Sequence, residues 1–195
     1  MKFDIARQPL VPAFMTLFAL AVAAMCAGIP VPDTETSGAV REALPLLGGQ
    51  LARFQAAYPV WSKFAAGFML LFAGMCTGRI SIRYNLYTVG TCLPIPLYAI
   101  VACGIATGGN YLAGFAASML LALATKNYCR AFCNGYGFDA IFRASLYLGL
   151  MPLIYAPALP LLLLLPLAVL LFRRTFREVV VATAGLLLPI FTACY

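Results

Sequence analysis

Residues 138–189 read FDAIFRASLYLGLMPLIYAPALPLLLLLPLAVLLFRRTFREVVVATAGLLLP. Two charged segments, FDAIFR and RRTFRE, bracket the run from Ala144 to Phe172, which carries no formal charge. As one helix that run would be about 43 Å long at about 1.5 Å per residue. A bilayer's hydrocarbon core is about 30 Å thick. One crossing is therefore excluded. The run is either two short tilted spans, 144–156 and 158–172, or a re-entrant hairpin turning at Tyr155-Ala156-Pro157. Pro152, Pro157, Pro160 and Pro166 punctuate both halves. Either form returns the chain to the side from which it came, so both charged segments meet the same water interface.

Composition points the same way. The chain has 195 residues, 64% hydrophobic and 10% charged. A soluble domain carries about 25% charged residues, so too little polar surface is present to cover a globule. The expected fold class is all-α, a single polytopic transmembrane helix bundle of about seven segments spanning 1–195. The partner this implies is a lipid bilayer. The net charge of +7 is read as a device of orientation, since basic residues of membrane proteins collect at the cytoplasmic face. Nucleic acid is not an expected partner.

There is no His and there are seven Cys. Cys26, Cys76, Cys92, Cys103 and Cys194 lie in apolar stretches and read as small buried hydrophobes. Cys129 and Cys133 would share a face on a helix. With no second pair and no His, they fall short of the four ligands of a closed zinc site. No metal and no cofactor are expected. Acid–base chemistry would rest on carboxylate, Lys, Tyr or Cys, because the usual general base is missing.

In chain order, residues 10–29 form the first expected span, with Lys2 and Arg7 before it. Those two residues also suit a signal peptide, but Met25 is too large to precede a lipoprotein-type cleavage at Cys26. Residues 30–57 are the one long polar stretch, an external loop ending in an amphipathic helix over Val40–Ala57. Span 58–78 starts at an aromatic interface of Tyr58 and Trp61, with Lys63 snorkelling to it. Gly74-x-x-x-Gly78 offers a face for close packing. A link with Arg79 and Arg83 leads to span 86–107, kinked by Pro94 and Pro96. Gly104-x-x-x-Gly108 repeats the packing pattern. Span 111–125 and the link KNYCRAFCNGYG lead into the quoted segment. The last span, 179–195, is interrupted by Gly185 and Pro189.

With a cytoplasmic N-terminus, Lys2, Arg7, Arg79, Arg83, Lys126, Arg130, Arg143, Arg173, Arg174 and Arg177 all fall inside. Arg41, Arg53 and Lys63 fall outside. That bias selects N-in, C-out, in a bacterial inner membrane.

The ordered pattern Phe138-Asp139-Ala140, Gly149, Tyr155-x-Pro157, Phe172-Arg173, Arg177-Glu178, Gly185 and Pro189 resembles an uncharacterised family of polytopic inner-membrane proteins typical of Bacteroidota. The resemblance covers roughly residues 126–195. It implies a many-span membrane protein and brings no reaction. Family members are generally longer, and this chain stops flush with its last span at Tyr195. The expectation is a short or truncated member.

Three polar groupings are candidates for function. Asp33-x-Glu35, in the external loop, is similar to the acidic pair that polytopic lipid-linked glycosyltransferases place in their first external loop. There such carboxylates hold a divalent metal or act as base. A solvated turn explains the same pair. Asp139 and Arg143, four apart with the acid first, form a helical ion pair. Arg143, Arg173, Arg174 and Arg177 could grip an anionic headgroup, since guanidinium matches phosphate bidentately. Orientation alone, with Arg174 and Glu178 paired, explains them equally. Tyr155-Ala156-Pro157 is either a tight turn or unwound backbone lining a path. All six acids fall in links or at interfaces, so no carboxylate is expected in mid-membrane. The leading functional expectation is a non-enzymatic component or scaffold of the cell envelope, assembled with other membrane subunits. A lipid-linked-glycan enzyme or polymerase and a lipid or small-solute transporter are the alternatives.

Overall fold

The computed structural model describes residues 10–26, 46–84, 92–106, 110–133, 137–164 and 176–194. They form seven α-helices and one 3-10 helix, with no strand among the described residues: α1 (Leu10–Cys26), α2 (Leu46–Ala57), α3 (Pro59–Arg83), α4 (Pro94–Ala106), α5 (Tyr111–Cys133), α6 (Phe138–Ile154), the 3-10 helix Ala156–Leu163, and α7 (Phe176–Cys194). The all-helical class is as expected. Two helices, Pro59–Arg83 and Phe176–Ala193, are long and apolar enough to cross a membrane. The chain divides into two compact units, Met1–Pro32 with Phe54–Met119, and Asp33–Arg53 with Leu120–Tyr195.

In the first unit the interfaces are built on missing side chains. Leu17 and Tyr98 lie over Gly74, Ile95 lies over Gly78 and Met25 lies over Gly67. Going up α1 from 17 to 25 therefore means going down α3 from 74 to 67. These helices are antiparallel. Going up α4 from 95 to 98 also means going down α3. So α1 and α4 run one way and α3 the other. The Gly74-x-x-x-Gly78 face packs as its spacing predicts, letting neighbouring side chains seat against the α3 backbone. Two hydroxyl pairs add polar ties. Tyr111 Oη meets Ser62 Oγ at 2.5 Å, and Tyr98 Oη meets Ser118 Oγ at 3.1 Å. Each serine already donates its one proton to a carbonyl in its own turn, Pro59 and Phe115 respectively, both at 2.8 Å. The tyrosines are therefore the donors.

On α1 and α3 the buried faces are mostly small residues, and the aromatic residues face out. On α1, Ala13, Leu17 and Ala21 are buried while Phe14, Met15, Phe18 and Val22 are exposed. On α3, Ser62, Ala66, Gly67, Leu70, Ala73 and Gly74 are buried. Trp61, Phe64, Phe68 and Phe72 line its opposite face, with Trp61 68% and Phe68 67% exposed. Trp61 and Phe64 rings lie 6.4 Å apart, as do Phe68 and Phe72. Leu17 and Leu70 are buried among these small residues, but a row of large apolar side chains on α1 and α3 stays outside.

Several helices outrun the apolar segments that signalled them. The link expected after Gly78 is helical to Arg83, and the polar link expected after Thr125 is helical to Cys133. Polar residues end a membrane span without ending a helix, since Arg79, Lys126 and Arg130 all have good helix propensity. Pro94 and Pro96 do not kink α4. They stand in its first turn, where a missing N–H costs nothing and the fixed φ is pre-set for helix. The segment expected to precede them, 86–91, lies outside the described residues. Nor do Gly185 and Pro189 interrupt α7, which is helical through both. A helical proline crowds the carbonyl four residues back, and here that residue is Gly185, with no side chain to add to the crowding. Cys76 and Cys92 are buried as expected, but Cys26 is exposed. It follows the buried α1 stripe Ala13, Leu17, Ala21 by five residues rather than four, which turns it off that face. Cys103 and Cys194, as side chains, and Gly108 lie outside what is described.

Candidate functional site

The second unit contains the segment on which the sequence reading turned. α6 presents Ala140, Ile141, Ala144, Ser145, Leu148 and Gly149 on one buried face. α7 answers with Glu178, Ala182, Gly185 and Pro189, all buried. These are spaced four, three and four apart, a straight stripe on a helix. Gly149 lies under the Leu186 carbonyl and Pro189; Gly185 lies under the Phe142 carbonyl and Ser145. Ala182 packs with Ala140, Ile141 and, from α5, Ala131. Higher numbers on α6 meet higher numbers on α7, so the two helices are parallel.

Parallel packing has a topological consequence. The chain leaves the far end of α6 and re-enters at the near end of α7, so the connection between them has to reverse direction. The reversal begins where the sequence placed it. Tyr155 is extended (φ −138°, ψ 99°) and caps α6, its N–H bonded to the Met151 carbonyl. Pro157, two residues on, cannot continue an α-helix. The chain instead takes eight residues of 3-10 helix. Pro157 and Pro160 suit its three-residue turn, because at that spacing they share one face. Residues 165–175, with Pro166, Arg173 and Arg174, lie outside the described residues.

The near ends of α6 and α7, with the C-terminal turns of α5, form the polar part of this unit. Arg143 Nε donates to Asp139 Oδ1 at 3.0 Å, four residues back. The predicted ion pair is present, with both side chains more than half exposed. Arg177 is exposed too, as are Lys126 and Arg130 on α5. Thus Arg143 and Arg177, which the sequence reading grouped, are brought to one end. Arg173 and Arg174, grouped with them, are not described. Asp33 and Glu35 are not described either, and the acidic-pair candidate receives no geometry.

Glu178, at the charged segment before the last apolar stretch, lies in the first turn of α7, and its side chain is buried against protein, 1% exposed. Its position continues the Ala182–Gly185–Pro189 stripe one turn further, which turns its side chain into the helix packing. That phase was readable, but the neighbouring Arg177 and Arg174 made the position look like a solvated link. Close by, the Tyr128 hydroxyl is buried and forms no hydrogen bond of ordinary geometry among the described residues. Its ring packs on the cluster of Ala131, Ala140, Ile141 and Ala182 and stacks 5.8 Å from Phe132. Tyr128 lies beyond the apolar part of α5. Burial pushes its pKa up, and the Ser145 hydroxyl pulls it down. Ser145 itself is fully buried and donates to the Ile141 carbonyl at 2.9 Å. Neither Tyr128 nor Ser145 carries any sequence signal, because a lone Tyr near a helix end and a lone Ser within a helix are both unremarkable.

The arrangement is chemically specific in one sense. A rim of exposed cations surmounts an interior holding a carboxylate and two hydroxyls, on a frame whose helix spacing is set by Gly149 and Gly185. No protein-family model, curated protein or solved structure matches the chain.

Proposed function

We propose that the chain is a multi-pass protein of a bacterial inner membrane, N-terminus inside, and that it serves as a non-enzymatic component of an envelope assembly. The observation that carries this reading is how many large apolar side chains stay on the outside. Ala, Gly and Ser take many interface positions, beside Leu17, Leu70, Phe115 and Leu148, while Trp61, Phe64, Phe68, Phe176 and Phe191 are exposed. In lipid, tails are as apolar as Leu, so large side chains gain nothing by hiding from them. Close backbone approach through small residues is then what holds helices together. The alternating directions of α1, α3 and α4 and the parallel α6 and α7 are compatible with a multi-pass path, and the N-in side rests on the distribution of basic residues along the sequence. Frames fixed by glycine contacts suit a part that holds shape, and the Trp61–Phe72 ridge is a surface on which a second membrane helix could seat.

The test places a photo-crosslinking residue at Phe68 in the full chain and irradiates intact membranes. Discrete protein adducts that survive purification in mild detergent are expected. A monomer carrying lipid adducts alone would sink the component reading. Recovery of the chain in the soluble fraction would sink the membrane reading as well.

One observation favours a second reading, a lipid or small-solute transporter. A proton-coupled carrier needs a carboxylate within the helix packing, and Glu178 is buried there, beside a helix pair followed by a proline-broken return. Uptake into vesicles that is lost on Glu178→Gln, with helix content unchanged, would establish it.

A further inference from the structure

We infer that the shared end of α5, α6 and α7 in the second unit binds the phosphate group of an anionic phospholipid. The inference rests on the membrane reading above. Four exposed cations gather there, Lys126, Arg130, Arg143 and Arg177, against a single exposed acid, Asp139. Asp139 does not cancel the patch. Arg143 gives it only the Nε–H, and the terminal Nη groups have no hydrogen-bond partner among the described residues. The bond also draws the guanidinium back toward the first turn of α6. The first-turn N–H groups of α6 and α7 open toward the same end, and they favour an anion there.

Charge alone would suit inorganic phosphate as well as a lipid. Two aromatic residues select between them. α6 begins with Phe138, 42% exposed, and α7 with Phe176, 79% exposed. Phe176 precedes the cation Arg177; Phe138 precedes the acid Asp139 and opens the helix that carries Arg143. Cations beside exposed aromatic rings match the junction of a phosphate headgroup with its acyl chains, where rings of this kind sit in the apolar boundary. A free phosphate has no use for them. A rim serving only orientation needs positive charge on the correct side, but no exposed aromatic ring at the start of both helices.

The experiment reconstitutes the full chain in phosphatidylcholine bilayers carrying spin-labelled phosphatidylglycerol or spin-labelled phosphatidylcholine, and measures the immobilised fraction of each. The wild type should prefer phosphatidylglycerol. Arg143→Gln or Arg177→Gln should each cut that preference about fivefold, given about 1 kcal/mol per basic residue near a charged surface. The pair together should bring it to parity. Arg143→Lys with Arg177→Lys keeps the charge and should keep a preference. Circular dichroism of each variant reports folding, and Arg130→Gln provides an independent variant should one of the others misfold. Equal immobilisation of both lipids by an inserted wild type overturns the inference and leaves the membrane reading intact. A preference abolished by inorganic phosphate at matched ionic strength overturns the lipid as the source. A chain that floats with neither vesicle overturns the membrane reading, and the inference with it.

Discussion

Replacing Gly149 by Ala tests the α6–α7 interface at its tightest point. A Cβ built there would sit 2.5 Å from the Leu186 carbonyl oxygen, where ordinary contact begins at 3.4 Å. The difference, 3.4 − 2.5, is 0.9 Å, and the obstacle is backbone. A side chain could rotate away; a helix carbonyl cannot, so the helices must separate or slide. A gap of 0.5–1 Å forfeits about a quarter to a half of each van der Waals well along the seam, and overpacking of this kind costs about 1–3 kcal/mol. Against it stands the better helix propensity of Ala, about 1 kcal/mol. The net expectation is a loss of about 1–2 kcal/mol. Gly67→Ala provides the control. Its Cβ would meet Met25 at 2.6 Å, through the sulfur of a flexible side chain, so the propensity gain should roughly offset the clash. The assay is reversible unfolding of the full chain in mixed micelles, followed by loss of helical circular dichroism. Gly149→Ala as stable as wild type, or Gly67→Ala equally damaged, would refute the claim that backbone contact sets this interface.

Further expectations concern single groups. Ser62→Ala should destabilise by about 1–2 kcal/mol, because it strands the buried Tyr111 hydroxyl donor; Tyr111→Phe should cost less, since Ser62 still donates to Pro59. The same unfolding assay ranks the two, and the reverse order would mean that the donor assignment is wrong. Asp139→Asn should shift stability by no more than about 0.5 kcal/mol, the ion pair being solvent-exposed on both sides. In mild detergent, maleimide mass labelling should modify Cys26 well before Cys76 and Cys92; simultaneous modification would contradict the burial of α3 and α4.

What could be read from sequence was whatever depended on solvent. The apolar runs located the helices because hydropathy reports the environment that a backbone must satisfy. The Asp139–Arg143 pair followed from spacing alone, and the end of α6 at Tyr155 followed from Pro157. Helix ends were misjudged where a span and a helix are different things. Arg79–Arg83 and Lys126–Cys133 leave the apolar segment without leaving the helix. Pro94, Pro96 and Pro189 were misread because a proline's effect depends on its place in the helix and on what lies four residues before it. The burial of Glu178 follows from its phase on the α7 stripe, which its charged neighbours in sequence mask.

The parallel run of α6 and α7 turns these separate observations into one constraint. Two adjacent antiparallel helices need only a short turn, but two parallel ones need a return path as long as themselves. α6 has 17 residues, or about 25 Å. The chain therefore has to stop being α-helix soon after Ile154, and it does so at Tyr155, whose backbone is extended. The eight residues Ala156–Leu163 continue as 3-10 helix, with Pro157 and Pro160 inside it. A proline lacks the N–H that a continuing α-helix would donate and crowds the carbonyl four residues back, so the pair should be what ends α6. Pro157→Ala with Pro160→Ala should then let α6 extend past Tyr155, raising the helical circular dichroism of the folded chain. An unchanged helical signal would show that packing around Tyr155, and not the prolines, ends the helix.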